Sequence, residues 1–235
     1  MPSSTFVIVT AYNEAEEIGA TLDALARAFP DARVLLADDG STDATARIAA
    51  ARGAHVVRSE RTVGKGEAAT LAAREALSNA RAESLDGEPV FILCDGDLGD
   101  SAGRLTALAD TVASGRAELA VAAFGTRVGG GFGLALGFAR WAIRRRCGLR
   151  TTAPISGQRA LTAGALADVL PFAHGFGMEV GMTIDAVRAG HRVVELELDL
   201  AHRASGRTLA GFAHRGAQLL DFARAYVARG ATYKG

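Results

Sequence analysis

Asp95-Gly96-Asp97 is the tripeptide with the clearest chemical capacity in this sequence. Its two carboxylates stand one residue apart at the end of a wholly apolar run, Val90-Phe91-Ile92-Leu93-Cys94. Carboxylates so placed can hold a hard divalent cation through oxygen ligands. The glycine between them leaves room for a diphosphate to approach the backbone, and a cation held there would offset the charge of that diphosphate as it leaves. Asp and Gly are also common in plain turns, so the tripeptide takes its meaning from its company. Asp38-Asp39-Gly40-Ser41-Thr42-Asp43 ends a second apolar run, Val34-Leu35-Leu36-Ala37. Ser41, Thr42 or Asp43 suits a helix cap, but two acids before the cap are more than a cap requires. One of them can accept hydrogen bonds from a ribose hydroxyl or a base N–H. Gly64-Lys65-Gly66 precedes a helical pattern, where amides and an ammonium can face an anion. It lacks the spacing of a P-loop. The first strand ends in Thr10-Ala11-Tyr12-Asn13-Glu14, not in a G-x-G-x-x-G turn, which disfavours a dinucleotide oxidoreductase.

The elements that must position these residues alternate. Phe6-Val7-Ile8-Val9 reads as a strand buried on both faces. Asn13 is expected to cap a helix whose apolar positions Ile18, Leu22, Leu25 and Phe29 recur at helical spacing. A second strand at 34–37, a helix from about Asp43 to Ala51, a short strand at His55–Val57, a helix from Lys65 to Ala80 and a strand at Val90–Cys94 follow. Such alternation predicts an α/β fold with a mostly parallel sheet flanked by helices. Sheets of that kind take ligands at the carboxyl ends of their strands, where every polar cluster named above falls. Further on, Leu119–Phe124 and Arg192–Leu198 read as strands, and Leu134–Arg146 and Met178–Ala189 as helices. Pro154–Leu161 is either a strand or an extended loop. Thr208–Arg229 predicts a C-terminal amphipathic helix.

Hydrophobic residues make up 49% of the 235 positions, enough for a large core. Lys+Arg and Asp+Glu both number 26, so the net charge is zero and a nucleic-acid partner is not expected. The two cysteines form no CxxC pair, and no apolar run of about 18 residues occurs. With no signal-peptide pattern at the amino terminus, a cytoplasmic location is expected. No linker or repeat divides the chain, which predicts a single domain over 1–235. Between Leu119 and Arg150 stand six arginines (Arg127, Arg140, Arg144, Arg145, Arg146 and Arg150) and no acid. This is either a solvated helix face or a surface for phosphate, which guanidinium suits.

Taken together, Val7 to Glu14, Asp38 to Thr45, Gly64-Lys65-Gly66 and Asp95-Gly96-Asp97 resemble the nucleotide-binding half of a GT-A-fold glycosyltransferase of the family 2 kind. The second half resembles, more loosely, the glucosyl-3-phosphoglycerate synthases. The residues that carry this are Ala153 to Ala160, Gly175 to Gly181 and His202-Arg203. The resemblance implies a Rossmann-like sheet, with about 1–100 as the nucleotide-sugar half and about 101–235 as the acceptor half. It implies that Thr10, Ala11, Glu14 and Asp39 hold the nucleoside, with Lys65 near the base and Asp95 by the ribose and diphosphate. Asp97 and His202 would ligate Mg²⁺ or Mn²⁺. Ser156, Gly157 and Gln158 would line the acceptor side, Arg127 would meet an acceptor phosphate, and Glu179 would face the acceptor hydroxyl. The implied reaction is transfer of a hexose from a nucleoside-diphosphate sugar, UDP-glucose first among donors, to an anionic acceptor. Arg203-Ala204-Ser205-Gly206-Arg207 does not keep the synthases' acceptor-binding pattern, so the acceptor stays open between a small phosphorylated molecule and a lipid phosphate. A polyprenyl-phosphate acceptor would bring peripheral contact with the inner membrane face. A nucleotidyltransferase is the rival enzyme class, and a homodimer is compatible with the sequence.

Overall fold

The computed structural model describes residues 4–83, 87–124, 133–200 and 209–230. In chain order the elements are β1 (Thr5–Ala11), α1 (Ile18–Ala28), β2 (Arg33–Asp38), α2 (Thr45–Ala51), β3 (His55–Arg58), α3 (Lys65–Ala82) and β4 (Val90–Asp95). A 3₁₀ turn (Gly99–Leu105) leads into α4 (Thr106–Ala113), followed by β5 (Leu119–Phe124), α5 (Gly133–Cys147), β6 (Arg159–Thr162) and α6 (Ala163–Val169). A second 3₁₀ turn (Gly175–Gly177) opens α7 (Met178–Arg188), and β7 (Val193–Leu198) and α8 (Leu209–Ala228) complete the order.

One seven-stranded sheet, ordered β3-β2-β1-β4-β6-β5-β7, runs through both halves. All pairings are parallel except those of β6, which lies antiparallel to β4 and β5. The expectation of a mostly parallel sheet holds. The reversed strand is where it departs, because a short run such as Arg159–Thr162 carries no sign of direction. Strand β1 is buried at every position and its alternate residues feed two cores. Val7 and Val9 pack with α1 and α4, while Phe6 and Ile8 pack against the alanine face of α3. Each fully buried aliphatic side chain contributes about 1.5–3 kcal/mol. A third core joins α5, α7 and α8 through Ala139, Ile143, Val180, Ile184 and Phe222.

Strand order fixes where a ligand can lie. From β1 the chain passes to β2 and β3 on one side, then returns to place β4 on the other. The crevice between the carboxyl ends of β1 and β4 is therefore the switch point at which open α/β sheets bind ligands. Thr10 and Asp95 are register partners at that point.

Two local expectations are corrected. Asn13 does not cap α1, which begins five residues later at Ile18. It takes a left-handed backbone (φ 56°), a conformation that asparagine tolerates. Its carboxamide oxygen accepts the Thr42 N–H at 2.8 Å, and its own N–H donates to Ser41 Oγ at 3.0 Å. Asn13 thus ties the loop after β1 to the loop after β2. Asp43, expected inside the second helix, lies before it and receives the Thr45 N–H at 2.9 Å and the Ala15 N–H at 3.1 Å. The helices α4 and α6 were not anticipated at all.

Candidate active site

Asp95 ends β4 and is held from three directions. Lys65 Nζ lies 2.6 Å from its Oδ1, Thr10 Oγ1 donates to the same oxygen at 3.1 Å, and Gln158 Nε2 donates to Oδ2 at 2.9 Å. Lys65 is the first residue of α3 and also donates to Glu179 Oε1 at 2.8 Å. Thr10, Lys65, Asp95, Gln158 and Glu179 therefore form one hydrogen-bonded cluster at the switch point. Burial pulls the Lys65 ammonium down, but the Asp95 and Glu179 carboxylates more than offset this and hold it above the usual lysine range. Burial pushes the Asp95 carboxyl up, yet Lys65 and the hydrogen bonds from Lys65, Gln158 and Thr10 hold it below the usual carboxylate range. The ion pair thus persists across neutral pH.

The antiparallel strand explains how the second half reaches this point. Because β6 runs against β4, with Leu93 opposite Arg159, the residues that enter β6 arrive at the carboxyl end of β4. They are Ser156, Gly157 and Gln158. A Cβ at position 157 would stand 2.7 Å from Asp95 Oδ2 and 2.9 Å from Lys65 Nζ, so the backbone passes directly over the ion pair. Ser156 is buried, and its Oγ lies 3.4 Å from Gln158 Oε1.

Glu179 arrives by way of α3. The first turn of α3 is seated on the 172–175 segment that leads into α7. Phe172 N–H donates to Thr70 Oγ1 at 3.0 Å, and His174 pairs with Glu67. A Cβ at Gly66 would fall 1.9 Å from the Ala173 carbonyl oxygen. Gly66→Ala is accordingly expected to cost more than about 2 kcal/mol, since the obstacle is backbone. It should also lower turnover by parting Lys65 from Glu179. An unchanged urea midpoint in that variant would contradict this account.

Asp97 lies half-buried in the turn that follows β4. That turn is pinned by Gly96 N–H to the Thr10 carbonyl (2.9 Å) and by Thr21, whose Oγ1 donates to the Gly96 carbonyl and accepts the Gly99 N–H, both at 2.8 Å. A Cβ at Gly96 would crowd Ala11 and Ile18 at 3.2 Å. Among the described residues no three His, Cys, Asp or Glu side chains converge as a ready metal cage. A single carboxylate of this kind still fits Mg²⁺, which is commonly held by one or two carboxylates plus substrate phosphates. His202 and Arg127 lie outside the described residues.

Asp39 is buried, and its Oδ1 accepts the N–H groups of Val63 (2.7 Å) and Gly64 (3.0 Å). It thereby anchors the loop that delivers Lys65, a task that its sequence position does not reveal. Gly64 has φ 110°, open to glycine alone at low cost. The carboxylate can accept further hydrogen bonds. Asp39→Ala is expected to lower stability by about 1–3 kcal/mol, the cost of leaving buried donors unpaired, and also to weaken UDP binding. Thermal melts and titration calorimetry measure the two separately. A lower Tm with unchanged affinity would confine Asp39 to the loop. Ala11 is buried, its carbonyl accepting the Asp39 N–H at 3.0 Å, and Glu14 N–H donates to Thr45 Oγ1 at 2.8 Å.

Sequence reasoning missed three supports. Arg159 is fully buried, donating to the Ser156 carbonyl (2.8 Å) and to Thr183 Oγ1 (3.0 Å), and burial lowers its pKa to about 10. Glu195 of β7 receives the N–H groups of Thr152 (2.8 Å) and Ala153 (3.1 Å). Asp221 of α8 accepts the Phe176 N–H at 3.1 Å, just before Glu179. Glu195 and Asp221 are more than 40 residues from the groups they hold, and Arg159 joins its neighbour Ser156 to Thr183, 24 residues on. A concavity of about 550 Å³, lined by Pro89, Val112, Glu118, Thr162 and His191, lies at the opposite end of β4 and gathers none of these groups.

Fold and site together define a GT-A-type transferase, with a mostly parallel sheet whose switch point carries paired acids, a lysine and a facing glutamate. The family model described as glycosyl transferase family 2 matches residues 6–156, and the chain belongs to that family. The protein is a glycosyltransferase, and the nucleotidyl-transfer alternative falls with this assignment. An undecaprenyl-phosphate mannosyltransferase of Micrococcus luteus is 30% identical over 217 residues, spanning 86% of this chain and 85% of that protein. An uncharacterized glycosyltransferase of Mycobacterium tuberculosis is 29% identical over 231 residues, 92% of this chain and 94% of its own. Among solved structures, glucosyl-3-phosphoglycerate synthase of M. tuberculosis in complex with Mn²⁺, UDP and phosphoglyceric acid superposes with a TM-score of 0.74. It is 27% identical, and the match covers 99% of this chain and 81% of that one.

Proposed function

We propose that this enzyme transfers a hexose from a nucleoside-diphosphate sugar, UDP-glucose first, to a phosphate-bearing acceptor in the presence of Mg²⁺ or Mn²⁺. The observation that carries the reading is the contact of Lys65 with both Asp95 and Glu179. This contact supports the reading because it joins a residue of the first half to residues of both halves in one cluster. On this reading Thr10, Ala11, Glu14 and Asp39 bind the nucleoside, and Asp95 and Lys65 orient the ribose and diphosphate. Asp97 and His202 hold the cation, which offsets the charge of the leaving diphosphate. Ser156, Gly157 and Gln158 position the acceptor, Arg127 binds its phosphate, and Glu179 takes a hydrogen bond from the attacking oxygen. The synthase structures with Mn²⁺, UDP-glucose and phosphoglyceric acid support the donor and the cation by likeness. The mannosyltransferase relative supports a second acceptor class, a polyprenyl phosphate.

The test is a screen of UDP- and GDP-sugars for thermal stabilisation and Mn²⁺-dependent hydrolysis. It is followed by the active donor with a phosphoglycerate or a short polyprenyl phosphate as acceptor. UDP-glucose should stabilise most. No stabilisation and no hydrolysis with any nucleotide sugar would overturn the reading.

A further inference from the structure

Helices α5 and α8 pack on one another and carry outward side chains that take no part in the cluster around Lys65. On α5 the outward residues are Leu134, Arg140, Trp141, Arg144 and Arg145, and on α8 they are Leu219, Leu220, Arg224 and Val227. Leu134, Trp141 and Arg145 fall seven and four positions apart, and Leu220, Arg224 and Val227 four and three apart, so each set lies on one stripe. Leu134 is 88% exposed, Val227 70%, Leu220 61% and Trp141 49%. Single exposed leucines need no explanation, but large apolar side chains gathered on two neighbouring helices mark an interaction surface. The helices are joined at this surface by aromatic contacts. Trp141 lies 4.9 Å from Tyr226 and 5.5 Å from Phe138, and the Arg146 guanidinium sits 3.7 Å over the Tyr226 ring. Trp141 is therefore held in place at the seam.

The charge on this face has one sign. Helix α5 contains no acid, and the acid of α8, Asp221, is buried, accepting the Phe176 N–H and pairing with Arg224 at 3.3 Å. Arg140, Arg144 and Arg145 lie exposed on the same helix as Leu134 and Trp141. We propose that the α5–α8 face docks on an anionic lipid bilayer. A second copy related by a two-fold axis would set these arginines against their own equivalents, whereas anionic headgroups complement them. Tryptophan at the headgroup level and arginine flanking apolar residues suit a helix lying in a membrane interface. No helix among the described residues is long and apolar enough to cross a membrane, so the contact is peripheral. The proposal rests on the phosphate-bearing acceptor reading and adds that the acceptor is met at a membrane surface. Both helices share a core with α7, which begins beside Glu179, so docking would fix the cleft relative to the bilayer.

Trp141 is the single tryptophan of the chain, so its emission reports on this face alone. Vesicles of phosphatidylcholine with about a third phosphatidylglycerol should shift its emission to the blue and sediment the protein, less so as salt rises. Pure phosphatidylcholine vesicles should do neither. Arg144→Ser with Arg145→Ser should weaken binding roughly thirtyfold, from the attraction of each arginine to an anionic surface. Leu220→Ser with Val227→Ser should weaken it equally at low and high salt. Absence of binding to the anionic vesicles, or equal binding to both kinds, would overturn the proposal. So would a blue shift without vesicles that grows with protein concentration and tracks a dimer in sedimentation velocity. Metal-dependent hydrolysis across the same UDP- and GDP-sugars by these preparations separates the two readings. Hydrolysis without vesicle binding removes docking alone, and binding without hydrolysis removes the transfer reading alone.

Discussion

Asp97→Ala is expected to lower kcat by roughly a thousandfold. Electrostatic assistance to a leaving diphosphate is worth several kcal/mol, at about 1.4 kcal/mol for each factor of ten. Excess chelator should bring the wild-type enzyme down to a similar rate. The fold should persist, because the turn that carries Asp97 is held by Thr21 and Gly96, not by the carboxylate alone. Circular dichroism and Tm would verify this, and initial rates over a Mn²⁺ series would show whether higher metal restores part of the loss. Full turnover in chelator, or an Asp97→Ala enzyme as fast as wild type, would sink the metal role.

Lys65→Met should lower stability and also change how stability depends on pH. It leaves Asp95 and Glu179 facing one another with no cation between them. Removing one partner of a fully buried pair costs about 3–5 kcal/mol. The Lys65 and Asp95 side chains are 22% and 24% exposed to the cleft, so about 2–3 kcal/mol is expected here. The pH dependence has a definite sign. In the wild type, Asp95 is held below its usual range, so its contribution is complete above about pH 4 and fades as pH falls through the lowered value. Lys65 is held above its range, so its contribution is complete below about pH 10 and fades as pH rises through the raised value. Between these limits wild-type stability owes no slope to this pair. In Lys65→Met the Asp95 carboxyl should rise above its unfolded value. The folded state then binds more protons than the unfolded one, and stability falls from about pH 4 to pH 7. Urea midpoints across that range test both parts. A variant with an unchanged midpoint at pH 7 would mean that the pair contributes nothing net.

Much of the first half was legible from local pattern. Phe6-Val7-Ile8-Val9, Val34-Leu35-Leu36-Ala37 and Val90-Phe91-Ile92-Leu93-Cys94 are strands because an apolar run of that length is satisfied only between two layers of helices. Each ends where the sequence turns acidic, so the carboxyl-end location of the polar clusters followed at once. Helix α3 was read to within two residues at its end, since an alanine-rich run without Gly or Pro has one favourable conformation. Asn13 was misread because asparagine serves equally as a helix cap and as a left-handed bridge between loops. The choice depended on Ser41 and Thr42, some 28 residues away. Helices α4 and α6 are short, eight and seven residues, and too brief for periodicity to stand out.

What the sequence determined by itself was which polar groups stand at the carboxyl ends of the strands. It supplied acids at and just past the ends of β4 and β2, and a lysine between glycines. These follow from residue type and from the nearest few neighbours. What only the tertiary structure decided was which of them meet. The contact of Gln158 with Asp95 depends on β6 running antiparallel to β4, which brings the residues before β6 to the end of β4. The contact of Lys65 with Glu179 depends on the first turn of α3 lying against the 172–175 segment, across 114 residues of chain. Strand direction and helix docking are set by the burial of whole faces and by long-range hydrogen bonds. No local run of residues encodes either, and so the cluster that joins the two halves could be seen only once the chain was folded.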